Sequence, residues 1–351
     1  MNSKTIERLI HEIRNQLNFS VEVTPNVLKV YQNKKKNLMV VVVADRPDKS
    51  ATFGPGGLVS KNLTKKLGLD GFTVKAQTYI FVKKFRVKLA IKRLRKIAST
   101  TKNKEIKKII KEKLVPLLKD ELKYPERELL EDESFESSNR NLAVVAFSGG
   151  VDSWVTTLLA KKVGLNPIAV SVSPGKWVLP EKTRRLIKSL TSTYNIPHKF
   201  LEGDVEGFRN IFKDGLDGKS HPCGKCAKLI EKTVVTYAKR MGVPLVLFGD
   251  LLPTGNYSAH FVEGILRFNV LAALNLTKSE TIVLAKKFSH PGTDYVYGCP
   301  MLREIHRKHS HLTYPSIQRV LREVRAELLE PTQALKYLKN ILSFQLKHRK
   351  G

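Results

Sequence analysis

Cysteine is scarce in this chain: three in 351 residues, Cys223, Cys226 and Cys299. Three thiols cannot close a framework of paired disulfides, which excludes the small disulfide-stapled secreted scaffolds. Acidic side chains are also in deficit, with 32 Asp+Glu against 62 Lys+Arg and a formal net charge of +30. That excess is far more than solubility requires and points to a polyanionic partner. No apolar run approaches the roughly eighteen residues of a membrane span, and the first residues lack the basic, apolar, small pattern of a signal peptide. No membrane partner and a reducing cytoplasm are therefore expected. Internal repeats and extended low-complexity segments are absent, and the Walker pattern Gly-x-x-x-x-Gly-Lys-Ser/Thr does not follow the apolar run Leu142–Ala146.

What does follow that run is Phe147-Ser148-Gly149-Gly150-Val151-Asp152-Ser153. A continuous apolar run suits a buried parallel strand, and Trp154-Val155-Thr156-Thr157-Leu158-Leu159-Ala160 suits a helix, so the glycines fall at a helix N-terminus. There Gly149 and Gly150 let backbone N–H groups converge on an anion, Ser148 and Ser153 add hydroxyl donors, and the helix end adds partial positive charge. Asp152 would repel phosphate, a conflict that Mg²⁺ resolves by accepting the carboxylate directly or through water. The competing reading is an ordinary strand-to-helix turn capped by Asp152 or Ser153.

The complete Ser-Gly-Gly-x-Asp-Ser string resembles the signature of the PP-loop, or N-type, ATP pyrophosphatases. The resemblance implies an α/β fold, a doubly wound parallel sheet of the adenine nucleotide α-hydrolase type. It also implies cleavage of ATP between the α and β phosphates, adenylation of a carbonyl oxygen, and departure of AMP when a nucleophile attacks the activated carbon. Members differ in using nitrogen or sulfur as that nucleophile. The Cys223-x-x-Cys226 pair followed by the distant Cys299 is similar to the tRNA thiouridine synthetases that hold a 4Fe-4S cluster on three cysteines. Zn²⁺ on the three thiolates and His221, a persulfide or disulfide pair, and inert thiols remain alternatives. The terminal zinc fingers usual in those synthetases are absent. By the same resemblance Phe248-Gly249-Asp250 to Asn256 matches, loosely, a Gly-His-Asn motif, placing Gly249 at ATP and Asp250 at the metal or the adenylated intermediate. The Ser171–Val172 backbone would meet the adenine edge. Arg267, Asn269, Lys278 and Glu280 lie where the family has a basic and Lys-x-Glu segment, with a solvated helix face as the alternative.

Basic charge is concentrated at the front, where residues 1–123 hold 29 Lys+Arg against 10 Asp+Glu, a net of +19. Val21 to Tyr31 and Asn37 to Ala44 read as strands joined by a turn at 32–36. Gly54-Pro55-Gly56-Gly57 then separates Arg46–Ala51 from a helical stretch with Leu58, Val59, Leu63 and Leu67 on one face, and Phe72 to Ala76 reads as a strand. This small α+β unit resembles a KH domain, whose Gly-x-x-Gly loop clamps the backbone of single-stranded nucleic acid. On that resemblance Gly54, Pro55, Gly56 and Gly57 bind RNA, with Lys61, Lys65 and Lys66 adding charge; a glycine turn among solvated lysines is the alternative. Residues 86–123 read as one or two basic helices with Leu89, Ile91, Leu94, Ile97, Ile109, Ile110 and Leu114 as the apolar side.

The expected organisation is a KH-like domain with helical extension over 1–123, an acidic linker over 124–140, a PP-loop domain over 141–312 and a helical basic tail over 313–351. Within the third segment Pro167–Val172, Lys199–Leu201 and Leu245–Phe248 read as strands. His306, Arg307, Lys308, His309 and His311 form a basic cluster, read first as a solvated helix end. The leading functional reading is an ATP- and Mg²⁺-dependent tRNA sulfurtransferase acting on tRNA or other RNA. A sulfur-carrier protein is an admissible donor and a homodimer an admissible assembly. The alternatives are a nitrogen-transferring PP-loop ligase with zinc, and an RNA-binding regulatory ATPase.

Overall fold

The computed structural model describes residues 1–19, 24–33, 37–127, 129–130, 141–252, 255–292 and 296–346. The start of the expected first strand, most of the 32–36 turn, residues 131–140 of the acidic segment and the Lys347–Lys350 tail lie outside the described residues. The chain forms two compact units, Met1–Phe85 with Asp120–Glu128, and Arg86–Lys119 with Leu129–Gly351. No helix among the described residues is long and apolar enough to cross a membrane.

The first unit is built on a three-stranded sheet, β1 (Val27–Asn33), β2 (Leu38–Val43) and β3 (Gly71–Ala76), in the order β1-β2-β3. The β1–β2 pair is antiparallel, and β3 runs parallel to β2. A parallel return needs a crossover, supplied by the helices Arg46–Phe53 and Leu58–Lys66. The helix Ser3–Gln16 places Ile6, Ile10 and Ile13 on one stripe, each no more than 2% exposed, against Val41, Val43, Val59 and Leu63. Leu58 departs from its expected place: it is 43% exposed while Val59 and Leu63 are fully buried. At about 100° per residue, Leu58 lies some 140° around the helix from Leu63, whereas Val59 and Leu63 share a face. Asp120–Glu128 joins this unit through Glu121, which lies 2.8 Å from Lys83 and 2.5 Å from Arg127. The Lys83 and Glu121 side chains are fully buried, where removing either partner would strand a charge.

The second unit carries a six-stranded sheet of β4 (Leu142–Ala146), β5 (Asn166–Val172), β6 (His198–Leu201), β7 (Leu245–Phe248), β8 (Ala259–Val262) and β9 (Ile265–Asn269). Its order is β6-β5-β4-β7-β9-β8, and every neighbouring pair is parallel except the β8–β9 hairpin. The helix Cys223–Arg240 packs Val234, Val235 and Ala238 against Val144, Val170 and Val246. The helix Val151–Lys162 is buried almost all round, with Trp154, Val155, Leu158 and Leu159 at 0% exposure. β4 is followed in the sheet by β5 on one side and by β7 on the other. This strand-order reversal opens a crevice at the carboxyl ends of β4 and β7. The basic stretch of residues 86–119 belongs to this unit and buries Ile91, Leu94, Ile97, Ile109, Ile110 and Leu114, while Leu89 is only partly buried.

Candidate functional site

The crevice is a cavity of about 1050 Å³, lined by Ser148, Gly149, Gly150, Asp152, Ser153, Val172, Gly249, Asp250, Arg267 and Cys299 among others. Sequence positions spread over 150 residues therefore meet in one place. Ser148–Gly150 leave β4 and enter the helix Val151–Lys162 with Gly150 as N-cap. Ser153 Oγ donates to the Gly150 carbonyl at 2.9 Å and accepts from Ser148 N–H at 3.2 Å, so the loop is braced by its own second serine. Gly149 has φ 74°, and a Cβ there would come within 2.7 Å of Ile187. From the opposite side His290 Nε2 donates to the Gly149 carbonyl at 3.1 Å, while its Nδ1 accepts from Gly292 N–H at 3.0 Å. His290 is 2% exposed, and burial pushes its pKa below the usual imidazole range. It is a neutral strut for the loop.

Asp152 is engaged by a residue 126 positions away: Lys278 Nζ donates to its two carboxylate oxygens at 2.8 and 2.7 Å, and Thr281 Oγ1 donates at 3.2 Å. Lys278 thus belongs to the site and not to a solvated face. Glu280 does not: its carboxylate accepts from the backbone and hydroxyl of Thr277, at 2.9 Å each, closing a capping box on the helix Lys278–Lys287. Such a box satisfies helix-end donors.

Gly249 sits against the start of the loop helix, where a Cβ would lie 3.0 Å from the Asp152 and Ser153 backbone. Asp250 accepts from Arg267 at 2.6 Å, and Arg267 also pairs with Glu231 and lies over the Phe248 ring at 4.2 Å. Burial holds the Asp250 carboxyl above its ordinary pKa, with the Asp152 charge adding to the shift and Arg319 opposing it. Arg267 and Asn269 lie on β9, a strand, with Arg267 Nε donating to Asn269 Oδ1 at 3.3 Å. Ser171 is the expected ATP residue whose side chain does not line the cavity: it donates to the Phe147 carbonyl at 2.6 Å and meets His198 Nε2 at 2.8 Å. Its neighbours Val170 and Val172 do line it.

The three thiols influence one another electrostatically. Burial raises the Cys223 pKa to about 11, and the charge of Cys299 adds to it. Burial likewise raises Cys226 to about 12, with Cys223 and Cys299 contributing. Cys299 is raised by burial and held down by backbone N–H groups at Met301, Leu302 and itself, at the start of the helix Pro300–Lys308. Among the described residues no group of three or more His, Cys, Asp or Glu side chains meets metal-binding geometry. His221, the expected fourth zinc ligand, is 3.0 Å from the Ser316 hydroxyl, which also contacts His306 at 3.1 Å. His309 and His311 donate to the carbonyls of Leu216 and Gly218. Those histidines tie the C-terminal helices down and are not a free basic patch.

In the first unit Gly54, Gly56 and Gly57 all take positive φ in the loop between two helices. Lys61 and Lys65 are exposed beside it, whereas Lys66 pairs with Glu12 at 2.9 Å.

No family model matches the chain. Among solved structures, a U34-tRNA thiolase from Methanococcus maripaludis with its 4Fe-4S cluster is alike at 17% identity and a TM-score of 0.34, covering 60% of this chain and 72% of that one. An NMN synthetase from Francisella tularensis is alike at 16% identity and a TM-score of 0.35, covering 58% and 84%. Scores this low carry no inference about fold or activity. Sequence relatives are nearer. The uncharacterized protein MJ1599 of Methanocaldococcus jannaschii is 30% identical over 139 residues, 39% of this chain and 48% of its own length. The uncharacterized protein MJ1638 of the same organism is 33% identical over 264 residues, covering 75% of this chain and 95% of its own length. With nearly the whole of that relative matched at this identity, the chain belongs to the family of MJ1638.

Proposed function

We propose that this protein is an ATP-dependent, AMP- and pyrophosphate-forming enzyme that replaces a carbonyl oxygen of a tRNA base with sulfur. The observation that supports this reading most is that Cys299 lines the same cavity as Ser148, Gly149 and Gly150. A thiol and a loop suited to pyrophosphate share one space. That space, about 1050 Å³, is at the upper end of ligand pockets, about 300–1,000 Å³, and so has room for a nucleotide together with a reacting base.

In this reading the base oxygen attacks the α phosphorus, the new O–P bond forms, and the bond to the β phosphate breaks. The pyrophosphate leaves on the loop amides, with Ser148 and Ser153 hydroxyls and Lys278 beside them. Sulfide, as HS⁻, then attacks the activated carbon. The C–S bond forms, the C–O bond breaks, AMP departs with the oxygen, and the sulfur proton passes to solvent. Asp152 would hold Mg²⁺ once Lys278 turns from it to phosphate. Cys223, Cys226 and Cys299 are the thiolates that would hold a 4Fe-4S cluster, which when bound would supply an open iron for incoming sulfur. The Gly54–Gly57 loop with Lys61 and Lys65 supports capture of single-stranded RNA by the first unit.

The test is anaerobic incubation of the protein with ATP, Mg²⁺, sulfide and tRNA, followed by nucleotide and nucleoside analysis. AMP and thionucleosides are expected in equal amounts, with both lost in Cys299→Ala. AMP without thionucleosides, together with stoichiometric zinc, would move the reading to nitrogen transfer. ATP-sensitive RNA binding without AMP would leave a regulatory ATPase.

A further inference from the structure

A second cavity in the catalytic unit lies outside the site described above. It has a volume of about 360 Å³ and is lined by Leu89, Lys92, Arg93, Lys96, Asn256 and Tyr257. The cleft is held together by specific contacts. Arg93 Nε donates to the Ala259 carbonyl at 2.9 Å, Ser258 Oγ donates to the Gly255 carbonyl at 2.7 Å, and the Gly255 backbone approaches Leu89 so closely that a Cβ would meet Leu89 Cδ1 at 3.3 Å. These contacts pin the turn Gly255–Ser258 onto the helix Gln77–Thr100. Lys92 and Lys96, one helical turn apart, are exposed. No carboxylate among the described residues pairs with Lys92, Arg93 or Lys96. Tyr257 is 75% exposed, and its backbone carbonyl lies 3.1 Å from His260 Nδ1.

Three cations that pair with no carboxylate among the described residues, beside an exposed aromatic ring, are the elements of a single-strand nucleic-acid site: the cations take phosphates and the ring takes a base face. An acidic peptide would pair with the same cations but leave the Tyr257 ring unused, whereas every base has a face that stacks on it. Tyr257 follows Asp250 by seven residues, a span of at most about 25 Å at full extension. RNA gripped here is therefore held near the cavity where Asp250 and the glycine loop meet.

We infer that this cleft is an RNA-binding subsite of the catalytic unit, stacking one unpaired base on Tyr257 with flanking phosphates on Lys92 and Lys96. The inference rests on the proposal that RNA is the polyanionic partner. It is tested by fluorescence anisotropy with a labelled single-stranded RNA oligonucleotide and the full chain. Tyr257→Ala should weaken binding by about five- to a hundredfold, the worth of one base–aromatic stack, and Tyr257→Phe should restore it. Lys92→Ala with Lys96→Ala should lower the dependence of log affinity on log salt by about 1.4, for two phosphate contacts on a single strand. Unchanged melting temperature in Tyr257→Ala, whose ring is mostly in solvent, separates lost contact from lost fold. Wild-type binding that survives all three changes would overturn the subsite and leave the RNA reading standing. Absence of RNA binding by the wild type, with AMP still formed from ATP, would overturn both the RNA partner and the subsite.

Discussion

Asp152 and Lys278 are joined by two hydrogen bonds, 2.8 and 2.7 Å, that occupy both carboxylate oxygens with a single ammonium. On the proposed function, the pair answers the electrostatic problem of a carboxylate beside a phosphate cradle: the loop would keep its acid neutralised until a polyphosphate and its cation arrive. Lys278→Met removes a cation that phosphate would recruit. The expected result is a 10- to 100-fold rise in KM for ATP, about the worth of a hydrogen bond to a charged group, in an assay of pyrophosphate release. Asp152→Asn should depress kcat and weaken the Mg²⁺ requirement. Normal ATP kinetics in both variants would remove this pair from the site.

Gly249 makes a different kind of demand. The atoms nearest its missing Cβ, at 3.0–3.1 Å, are backbone atoms of Asp152 and Ser153, which cannot swing away as a side chain would. Gly249→Ala therefore pushes on the start of the loop helix. The expected cost is about 1–3 kcal/mol in a denaturant titration, with ATP affinity falling alongside. A variant as stable as wild type and equally able to bind ATP would show that the two backbones move apart freely.

The thiols give a third prediction. With Cys223 pushed up to about 11 and Cys226 to about 12, both are protonated at pH 8 in the metal-free protein. Because the thiolate is the nucleophile, alkylation by iodoacetamide at pH 8 should be slower in the folded than in the denatured chain by about a hundredfold at Cys223 and about a thousandfold at Cys226. Metal loading must expel those protons, so affinity for iron with sulfide, or for zinc, should climb with pH. Rapid alkylation of the folded, metal-free protein would mean that the thiols are neither buried nor coupled.

The glycine loop was legible because its strand, turn and helix are contiguous: composition and periodicity within about fifteen residues carry the whole signal. Lys278 was legible only as one of two readings, since a lysine on an amphipathic segment looks the same whether it meets water or Asp152. Glu280 had a readable signal, Thr277-x-x-Glu280, the signature of a capping box, which assigns it to the helix end. The β8–β9 hairpin turns on Glu263 and Gly264 at φ 49° and 86°, a turn without the Asn-Gly or Asp-Gly pair that marks such hairpins, and it passed unread. The solvated helix face that was the alternative reading of Arg267 does not exist, because Arg267 sits on a strand. The histidines at 306–311 read as a solvated end because nothing local announces that Leu216 and Gly218 carbonyls and the Ser316 hydroxyl await them.

His306 allows the last prediction to be worked through with its sign. It is 1% exposed and shares the Ser316 hydroxyl with His221, and burial, with the His221 charge adding, lowers its pKa to about 4 from 6.5. Since the folded value lies under the unfolded one, acid below pH 6.5 protonates the unfolded chain and leaves the folded ring neutral. The stability tied to this ring is complete above pH 6.5 and declines as pH falls toward 4. Between pH 7 and 5 the decline amounts to about 2 kcal/mol. His198, also lowered to about 4 by burial with Lys188 adding, acts in the same direction. Urea midpoints at pH 7 and pH 5 should therefore fall further apart in the wild type than in His306→Gln, which has no proton to gain. Equal acid losses in the two proteins would mean that His306 titrates normally and that the Ser316 hydroxyl does not hold it.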